Sequence, residues 1–237
     1  MSNSYFRFKQ FCVQQDRCAM KVSTDACIQG AWTPLPAHGR TVLDVGCGTG
    51  LLSLMLAQRD PALTIDSVEL DEPAARQADE NVAASPWAQQ VRVIHADVRH
   101  YQPKKKYDLI ICNPPFFHNS LHGKADNRNR ARHSLTLTQE ALLRVIVQHL
   151  DAPGYACIML PPVEHALWAQ LLAKNGWHLH RTLSVRPDDE KKVNRIISLA
   201  AAFPPQDCTE ETLSVYSAGG GYTPAFTALL QPYYLYL

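Results

Sequence analysis

The fold of this chain is decided by ten residues, Thr41-Val42-Leu43-Asp44-Val45-Gly46-Cys47-Gly48-Thr49-Gly50. The apolar run at 41–45 is typical of a buried β-strand, and the alternating glycines after it predict a tight turn. A helical pattern of apolar residues then begins at Leu51. Glycine lacks a Cβ, so the backbone of such a turn can approach a ligand closely, and the following helix offers unpaired N–H groups. The stretch therefore predicts a strand–turn–helix unit that can hold a nucleotide-like ligand.

The alternation of strands and helices continues along the chain. Four more strands are predicted at 64–69, 91–96, 107–112 and 155–160, with helices between most of them, and residues 177–185 and 193–201 are predicted to close the sheet as a hairpin. Strands that alternate with helices indicate a mostly parallel sheet covered on both faces. We therefore predict a Rossmann-like α/β fold with seven strands, one of them antiparallel. Residues 1–40 are predicted to form an N-terminal arm and residues 41–237 a single globular domain.

Composition limits the function classes that need to be considered. The chain has 237 residues, is 46% hydrophobic and carries a formal net charge of +1. We find no membrane-span pattern, no secretory signal and no CxxC pair among the seven scattered cysteines, so we expect a soluble cytoplasmic protein that has no bound metal. A net charge this small provides no diffuse basic field, so any nucleic-acid partner must be attracted by local basic clusters.

The glycine turn does not fit the two commonest nucleotide motifs. A GxGxxG fingerprint would need glycine where Leu51 stands, and no GK[ST] follows. The form Asp-x-Gly-x-Gly-x-Gly resembles instead the first motif of the class I methyltransferases, which use S-adenosylmethionine. The resemblance implies a Rossmann-like class I methyltransferase fold, with Asp44, Gly46, Gly48 and Gly50 binding the cofactor.

Two carboxylates follow the next two predicted strands. Glu69 ends the second strand and can accept hydrogen bonds from both ribose hydroxyls of the cofactor. Asp97 follows the third strand and can accept from the adenine amine. Either one alone could be a helix cap or a loop acid, but their positions at successive strand ends favour cofactor binding. We predict that both bind S-adenosylmethionine together with their neighbours Leu70 and Val98.

The tetrapeptide Asn113-Pro114-Pro115-Phe116 follows the fourth predicted strand, which places it at the edge of the sheet where ligands bind. Its prolines make the turn rigid and leave its carbonyls free. The side-chain oxygen of Asn113 and the carbonyl of Pro114 can accept both hydrogens of one planar NH₂ group, while Phe116 can stack on the base. Alone, the tetrapeptide could be a structural turn. After a cofactor motif, we predict that all four residues are catalytic.

The core motifs are similar to those of amino-methyltransferases that modify adenine, guanine or glutamine amides. Longer strings resemble the bacterial valine-tRNA (adenine-N6) methyltransferase family: Phe8-Lys9-Gln10-Phe11, Asp16–Val22, Thr24-Asp25 with Gly30-Ala31-Trp32, Ser85-Pro86-Trp87-Ala88, Gly176–Leu179 and the pattern that begins at Tyr222. This resemblance covers nearly the whole chain. It implies methylation of the adenine at nucleotide 37 beside the anticodon, with Thr24 and Asp25 helping to close over the cofactor.

Three alternatives stay open. The turn is also similar to the Asn-Pro-Pro-Phe-His turn of ribosomal guanine-N2 methyltransferases, although Phe117 here separates Phe116 from His118. Methylation of a glutamine in release factors is the next alternative. An inactive RNA-binding module with a methyltransferase fold is the third.

A basic segment follows the turn. Lys124, Arg128, Arg130 and Arg132 lie within nine positions, and the pattern predicts phosphate contacts, although a solvated loop would look the same. Lys9, Arg17 and Lys21 are predicted to extend this patch. The predicted partner is the anticodon loop of a tRNA, whose unpaired bases can be extracted at low cost.

Overall fold

The computed structural model describes residues 3–36, 39–114 and 137–237. Its elements in chain order are β1 (Tyr5–Arg7), β2 (Cys12–Gln14), α1 (Thr24–Trp32), β3 (Thr41–Val45), α2 (Leu51–Ala57), β4 (Thr64–Glu69), α3 (Glu72–Ala83), β5 (Val91–His95), β6 (Tyr107–Cys112), α4 (Gln139–His149), β7 (Leu150–Leu160), α5 (Pro162–Lys174), β8 (His178–Asp188), β9 (Arg195–Ala201), β10 (Thr209–Tyr216) and α6 (Pro224–Leu230).

The central sheet has eight strands in the order β10-β8-β9-β7-β6-β3-β4-β5. Strand β9 is antiparallel to both of its neighbours, and the other neighbouring strands run parallel. The predicted mostly parallel α/β architecture with a closing hairpin is therefore confirmed. The predicted count of seven strands is one too low, because β10 adds to the outer edge of β8. Only Leu213 and Val215 of β10 are buried, and so short an apolar alternation gives a weak strand signal.

The strand register brings the ends of four strands to one level. Val45 at the end of β3 pairs with Val68 of β4 on one side and with Cys112 of β6 on the other, and Val68 pairs in turn with Ile94 of β5. The chain segments that leave these strands therefore emerge side by side at the carboxyl edge of the sheet. This is the edge at which open α/β sheets bind their ligands.

Two hydrophobic clusters cover the two faces of the sheet. One includes residues of α1, α2 and α6, together with Phe8 and Phe11 of the N-terminal segment and Tyr234 of the C-terminal tail. The other includes residues of α4 and α5, with Trp168 fully buried in it. The division into an arm (1–40) and a domain (41–237) stays a prediction, and the described parts of both share a core. In the described part of the chain, no helix has the length and apolarity needed to cross a membrane.

Candidate active site at the carboxyl edge

A cavity of about 280 Å³ lies at the carboxyl edge of the sheet. Eight of the residues predicted from the sequence line it, and they come from four successive strand ends: Gly46, Gly48, Glu69, Leu70, Asp97, Val98, Asn113 and Pro114. A larger cavity of about 820 Å³ lies beside β5 and the 101–105 turn, but none of these predicted residues lines it. The cavity of about 280 Å³ is therefore the candidate site, because a large volume alone does not make a binding site without polar groups that converge on it.

The glycine turn leaves room for a ligand. Gly46 and Gly48 have φ values of 69° and 54°, a region that favours glycine. A Cβ at either position would find no atom of the described residues within 4 Å, so the space beside the turn is open. Gly50 differs: it precedes α2 with φ 79° and does not line the cavity. Its direct contact with a cofactor stays a prediction.

Glu69 is held in place by the backbone. Its Oε2 accepts a hydrogen bond from the N–H of Gly48 at 2.8 Å, and its Oε1 accepts from the N–H of Asp71 at 3.0 Å. A carboxylate oxygen can accept more than one hydrogen bond, so both oxygens keep capacity for a ligand. The carboxylate is therefore fixed in the cavity wall and still able to accept two hydroxyl donors.

Asp97 already has a partner that the sequence analysis did not identify. Its Oδ2 accepts from Nη2 of Arg99 at 2.6 Å, and its Oδ1 accepts from Nε and from the backbone N–H of Arg99, both at 2.9 Å. These hydrogen bonds hold the pKa of Asp97 below its ordinary value. Arg99 also lines the cavity. An adenine amine would have to share oxygens that Arg99 already uses, so the binding of adenine by Asp97 stays a prediction.

Asp44 lies beneath the cavity rather than in its wall. It is fully buried, and its Oδ2 accepts from the hydroxyl of Ser53 at 2.7 Å, which in turn contacts the hydroxyl of Ser67 at 2.7 Å. Burial raises the pKa of Asp44 to about 7. Direct contact between Asp44 and a cofactor stays a prediction, and the geometry suits a support for the glycine turn.

Asn113 carries an unused acceptor. Its Oδ1 atom is buried and accepts no hydrogen bond from any described residue. A buried acceptor without a donor costs about 1–3 kcal/mol, which calls for an explanation such as a ligand. The peptide before Asn113 is fixed by Gln29, whose Nε2 donates to the carbonyl of Cys112 at 3.0 Å and to that of Cys157 at 3.3 Å.

Six of the residues predicted to act in catalysis or RNA binding lie outside the described residues: Pro115, Phe116, Lys124, Arg128, Arg130 and Arg132.

The chain is similar in sequence to known methyltransferases. A family model described as "Methyltransferase small domain" matches residues 29–153, just over half of the chain. The chain is 40% identical over 237 residues to the tRNA1(Val) (adenine(37)-N6)-methyltransferase of Citrobacter koseri, covering 98% of this chain and 95% of that protein. It is 41% identical over 236 residues to the protein of the same name from Dyadobacter fermentans, covering 98% of each. The chain belongs to this methyltransferase family.

Solved structures agree on the fold of this family member. The chain superposes with a TM-score of 0.66 on a protein of Agrobacterium tumefaciens described as an O-methyltransferase, at 17% identity, covering 88% of this chain and 96% of that one. It superposes with a TM-score of 0.60 on a protein of Listeria monocytogenes whose description names a class I S-adenosylmethionine-dependent methyltransferase, at 15% identity, covering 92% of this chain and 71% of that one. These superpositions show the class I methyltransferase fold. At identities this low they show nothing about the substrate.

The N-terminal segment contributes residues 18–20 to the cavity wall. Thr24 begins α1, and Asp25 Oδ2 lies 3.2 Å from Nε of Arg195 in an ion pair. Neither residue is in the described cavity wall, so their contact with the cofactor stays a prediction. Cys18, Ala19 and Met20, which were not predicted to bind the cofactor, form the part of the wall that the N-terminal segment supplies. Hydrogen bonds between Gln77 on α3 and residues 16–17 hold this segment in place.

The three described basic residues that were predicted to contact phosphate all have partners within the protein. Lys9 donates to the carbonyl of Gln231, Arg17 forms an ion pair with Glu80, and Lys21 donates to the carbonyl of Asn3. Binding of a phosphate there would have to compete with these contacts, and the predicted contacts stay predictions. Among residues 3–36, 39–114 and 137–237, no group of three His, Cys, Asp or Glu residues could hold a metal ion.

Proposed function

We propose that this protein transfers the methyl group of S-adenosylmethionine to the N6 amine of adenine 37 in valine tRNA. The observation that carries the proposal is the buried Oδ1 of Asn113, which accepts no hydrogen bond from the residues that the structure describes. Asn113 lies in the wall of the same cavity as the glycine turn and Glu69. The names of the Citrobacter koseri and Dyadobacter fermentans relatives support adenine and nucleotide 37.

The described residues suit S-adenosylmethionine. The open space beside Gly46 and Gly48 admits a ligand close to the backbone, and the fixed carboxylate of Glu69 can accept from two ribose hydroxyls. The cofactor supplies a methyl group on a sulfonium, an electrophile that needs placement rather than activation. The protein therefore contributes mainly orientation and electrostatic stabilisation.

Asn113 and Pro114 would act on the other reactant. The lone pair of an exocyclic amine is delocalised into the ring, so the amine is a poor nucleophile. Acceptors on both of its hydrogens favour a tetrahedral nitrogen and stabilise the positive charge that develops there during transfer. The side-chain oxygen of Asn113 and the carbonyl of Pro114 are the two acceptors in this proposal. No strong base is required, because the methylated ammonium readily loses a proton.

The guanine, glutamine and inactive-module alternatives are less favoured. The relatives compared above are named as adenine-N6 enzymes, and the acceptor residues expected of an active enzyme are present in this chain. A tRNA-modifying activity is also consistent with the cytoplasmic location expected from the cysteine pattern.

The proposal is tested by mass spectrometry of nucleosides. Unmodified valine tRNA, transcribed in vitro, is incubated with the protein and isotopically labelled S-adenosylmethionine and then digested. We expect labelled N6-methyladenosine, and none from a matched transcript in which adenine 37 is replaced by guanine. Label in N2-methylguanosine would favour the guanine alternative. A protein that transfers no label and gives no heat with the cofactor in calorimetry would be the inactive module.

A further inference from the structure

An exposed pair of stacked tyrosines stands at the end of β10. The rings of Tyr216 and Tyr222 lie 5.3 Å apart at an angle of 19°, and Tyr222 stacks in turn on Phe226 at 4.5 Å and 27°. Phe226 is fully buried, whereas Tyr216 is 45% exposed and Tyr222 36% exposed. These three residues, the ring ladder, therefore connect the hydrophobic core to the surface and end in an open aromatic face.

The backbone on both sides of the ring ladder is fixed. Tyr216 and Tyr222 form an antiparallel bridge, and the N–H of Ser217 donates to the carbonyl of Gly221 at 3.0 Å. The hydroxyl of Thr223 donates to the carbonyl of Ser214 at 2.6 Å. The exposed rings are thus ordered before any partner binds, which lowers the entropic cost of association.

The ring ladder lies at the same edge of the sheet as the candidate active site. Strand β10 runs parallel to β8, and β8 and β7 run in the same direction because both are antiparallel to β9. Tyr216, the last residue of β10, therefore stands at the carboxyl edge, as Asn113 does after β6. Four strand intervals separate the two positions across the sheet, a lateral distance of roughly 19 Å at the usual spacing of about 4.8 Å. The strand register places Glu210 of β10 level with Cys112 of β6, so Tyr216 also lies farther along the strand direction and the full separation exceeds this lateral distance.

The aspartates beside the ring ladder are already engaged. Tyr216 pairs in register with Asp188 of β8, and Oδ1 of Asp188 accepts from the N–H groups of Glu190 and Lys191, each at 3.0 Å. Asp189 lies 2.7 Å from Nη2 of Arg186 in an ion pair. These contacts reduce the repulsion that two free carboxylates would exert on a phosphate.

The β8–β9 turn, which follows the register partner of Tyr216, carries two cationic residues. Lys191 and Lys192 are exposed, with the acidic Glu190 beside them in the chain. The backbone N–H of Lys191 donates to Asp188, and Asp188 pairs in register with Tyr216. Single-stranded nucleic acid is bound by exposed aromatic rings, on which bases stack, together with cationic groups that contact phosphates.

We infer that Tyr216 and Tyr222 form a second base-stacking platform, which binds an unpaired nucleobase of the RNA substrate outside the cavity that takes the target adenine. The inference rests on the proposed function for the identity of the RNA. The platform holds an unpaired base several nucleotides from the target while the cavity takes the target, so the RNA is bound at two separate points on the carboxyl side of the sheet. Phe226 packs against the ring of Tyr222, which stacks on the exposed ring of Tyr216.

The test measures binding of valine tRNA transcript to the full-length protein by fluorescence anisotropy across a range of salt concentrations. Tyr216→Ala is expected to raise the Kd about tenfold, the scale of one lost base–aromatic stack. The slope of log Kd against log salt should not change, because no phosphate contact is removed. Tyr216→Phe, which keeps the ring, should bind like the wild type. Tyr236→Ala removes a tyrosine that is 87% exposed and outside the ladder, and it should also bind like the wild type.

Three results would overturn the inference: tRNA affinity unchanged in Tyr216→Ala, an equal loss in Tyr216→Phe, or a loss accompanied by weaker S-adenosylmethionine binding. The last would indicate damage to the fold rather than a missing platform. Binding is measured without methyl transfer, so the platform and the proposed function can fail separately. Absence of methylated adenine with a tenfold loss in Tyr216→Ala would reject the activity and retain the platform.

Discussion

The two halves of the candidate site present their oxygen acceptors in opposite states. The carboxylate of Glu69 receives a backbone N–H on each oxygen, at 2.8 Å and 3.0 Å. The Oδ1 of Asn113 is buried and receives none from the described residues. A satisfied acceptor is held still before its ligand arrives, whereas an unsatisfied one gains its hydrogen bond only when a donor binds. We therefore predict that Glu69 binds the cofactor and that Asn113 accepts a hydrogen bond from the reacting amine.

The largest expected effect is at Asn113. Asn113→Ala should lower turnover by roughly two to three orders of magnitude, the scale of a lost transition-state hydrogen bond. Affinity for S-adenosylmethionine should stay close to that of the wild type, because Glu69 and the glycine turn are untouched. Steady-state kinetics with tRNA and calorimetry with the cofactor measure the two quantities.

The matched control is Asn175→Ala, which removes an exposed asparagine whose side chain bonds only locally, to the carbonyl of Leu171. It should have wild-type kinetics. If Asn113→Ala turned over as fast as this control, Asn113 would have no part in the chemistry.

A smaller effect is expected at Glu69, on cofactor affinity rather than on turnover. Glu69→Gln should weaken cofactor binding roughly 10-fold to 100-fold, since a charge-assisted pair of hydrogen bonds becomes neutral and the amide N–H₂ faces a backbone donor. Turnover at saturating cofactor should change much less. The control is Glu72→Gln, which alters an exposed carboxylate paired with Arg76. A fall in turnover with intact cofactor affinity would show that Glu69 acts on the reaction and not on cofactor binding.

The smallest effect is expected on stability, at Asp97, the other carboxylate of the site that already accepts hydrogen bonds. Because Arg99 lowers its pKa, the pair stabilises the fold at pH values above the ordinary pKa of aspartate, and this contribution is lost as the pH falls through the lowered pKa. The pair is partly exposed, so Arg99→Gln should cost less than about 1 kcal/mol at pH 7. Urea unfolding at pH 7 and under acidic conditions measures it. A difference from the wild type that stayed equally large in acid would show that Arg99 acts through packing instead.

Much of the site could be predicted because the signals are local and the topology rule is general. Glu69 ends a strand that the apolar pattern indicates, and Gly46, Asp97 and Asn113 each follow one. Parallel strands end at one edge of the sheet. The wall formed by residues 18–20 could not be predicted in this way. It reaches the cavity through hydrogen bonds to Gln77, which lies some sixty positions away in the chain.

The sequence by itself determined the order of seven of the eight strands of the central sheet, the glycine turn and the shared edge, because these follow from apolar periodicity and from the absence of a Cβ. Only the tertiary structure decided which polar groups already have partners. Arg99 pairs with Asp97 and Arg195 with Asp25, whereas Oδ1 of Asn113 has no donor among the described residues. It also decided that β10 carries exposed tyrosines to the carboxyl edge. Such pairings depend on separations of a few ångströms between specific atoms, and no periodic pattern in the chain encodes them.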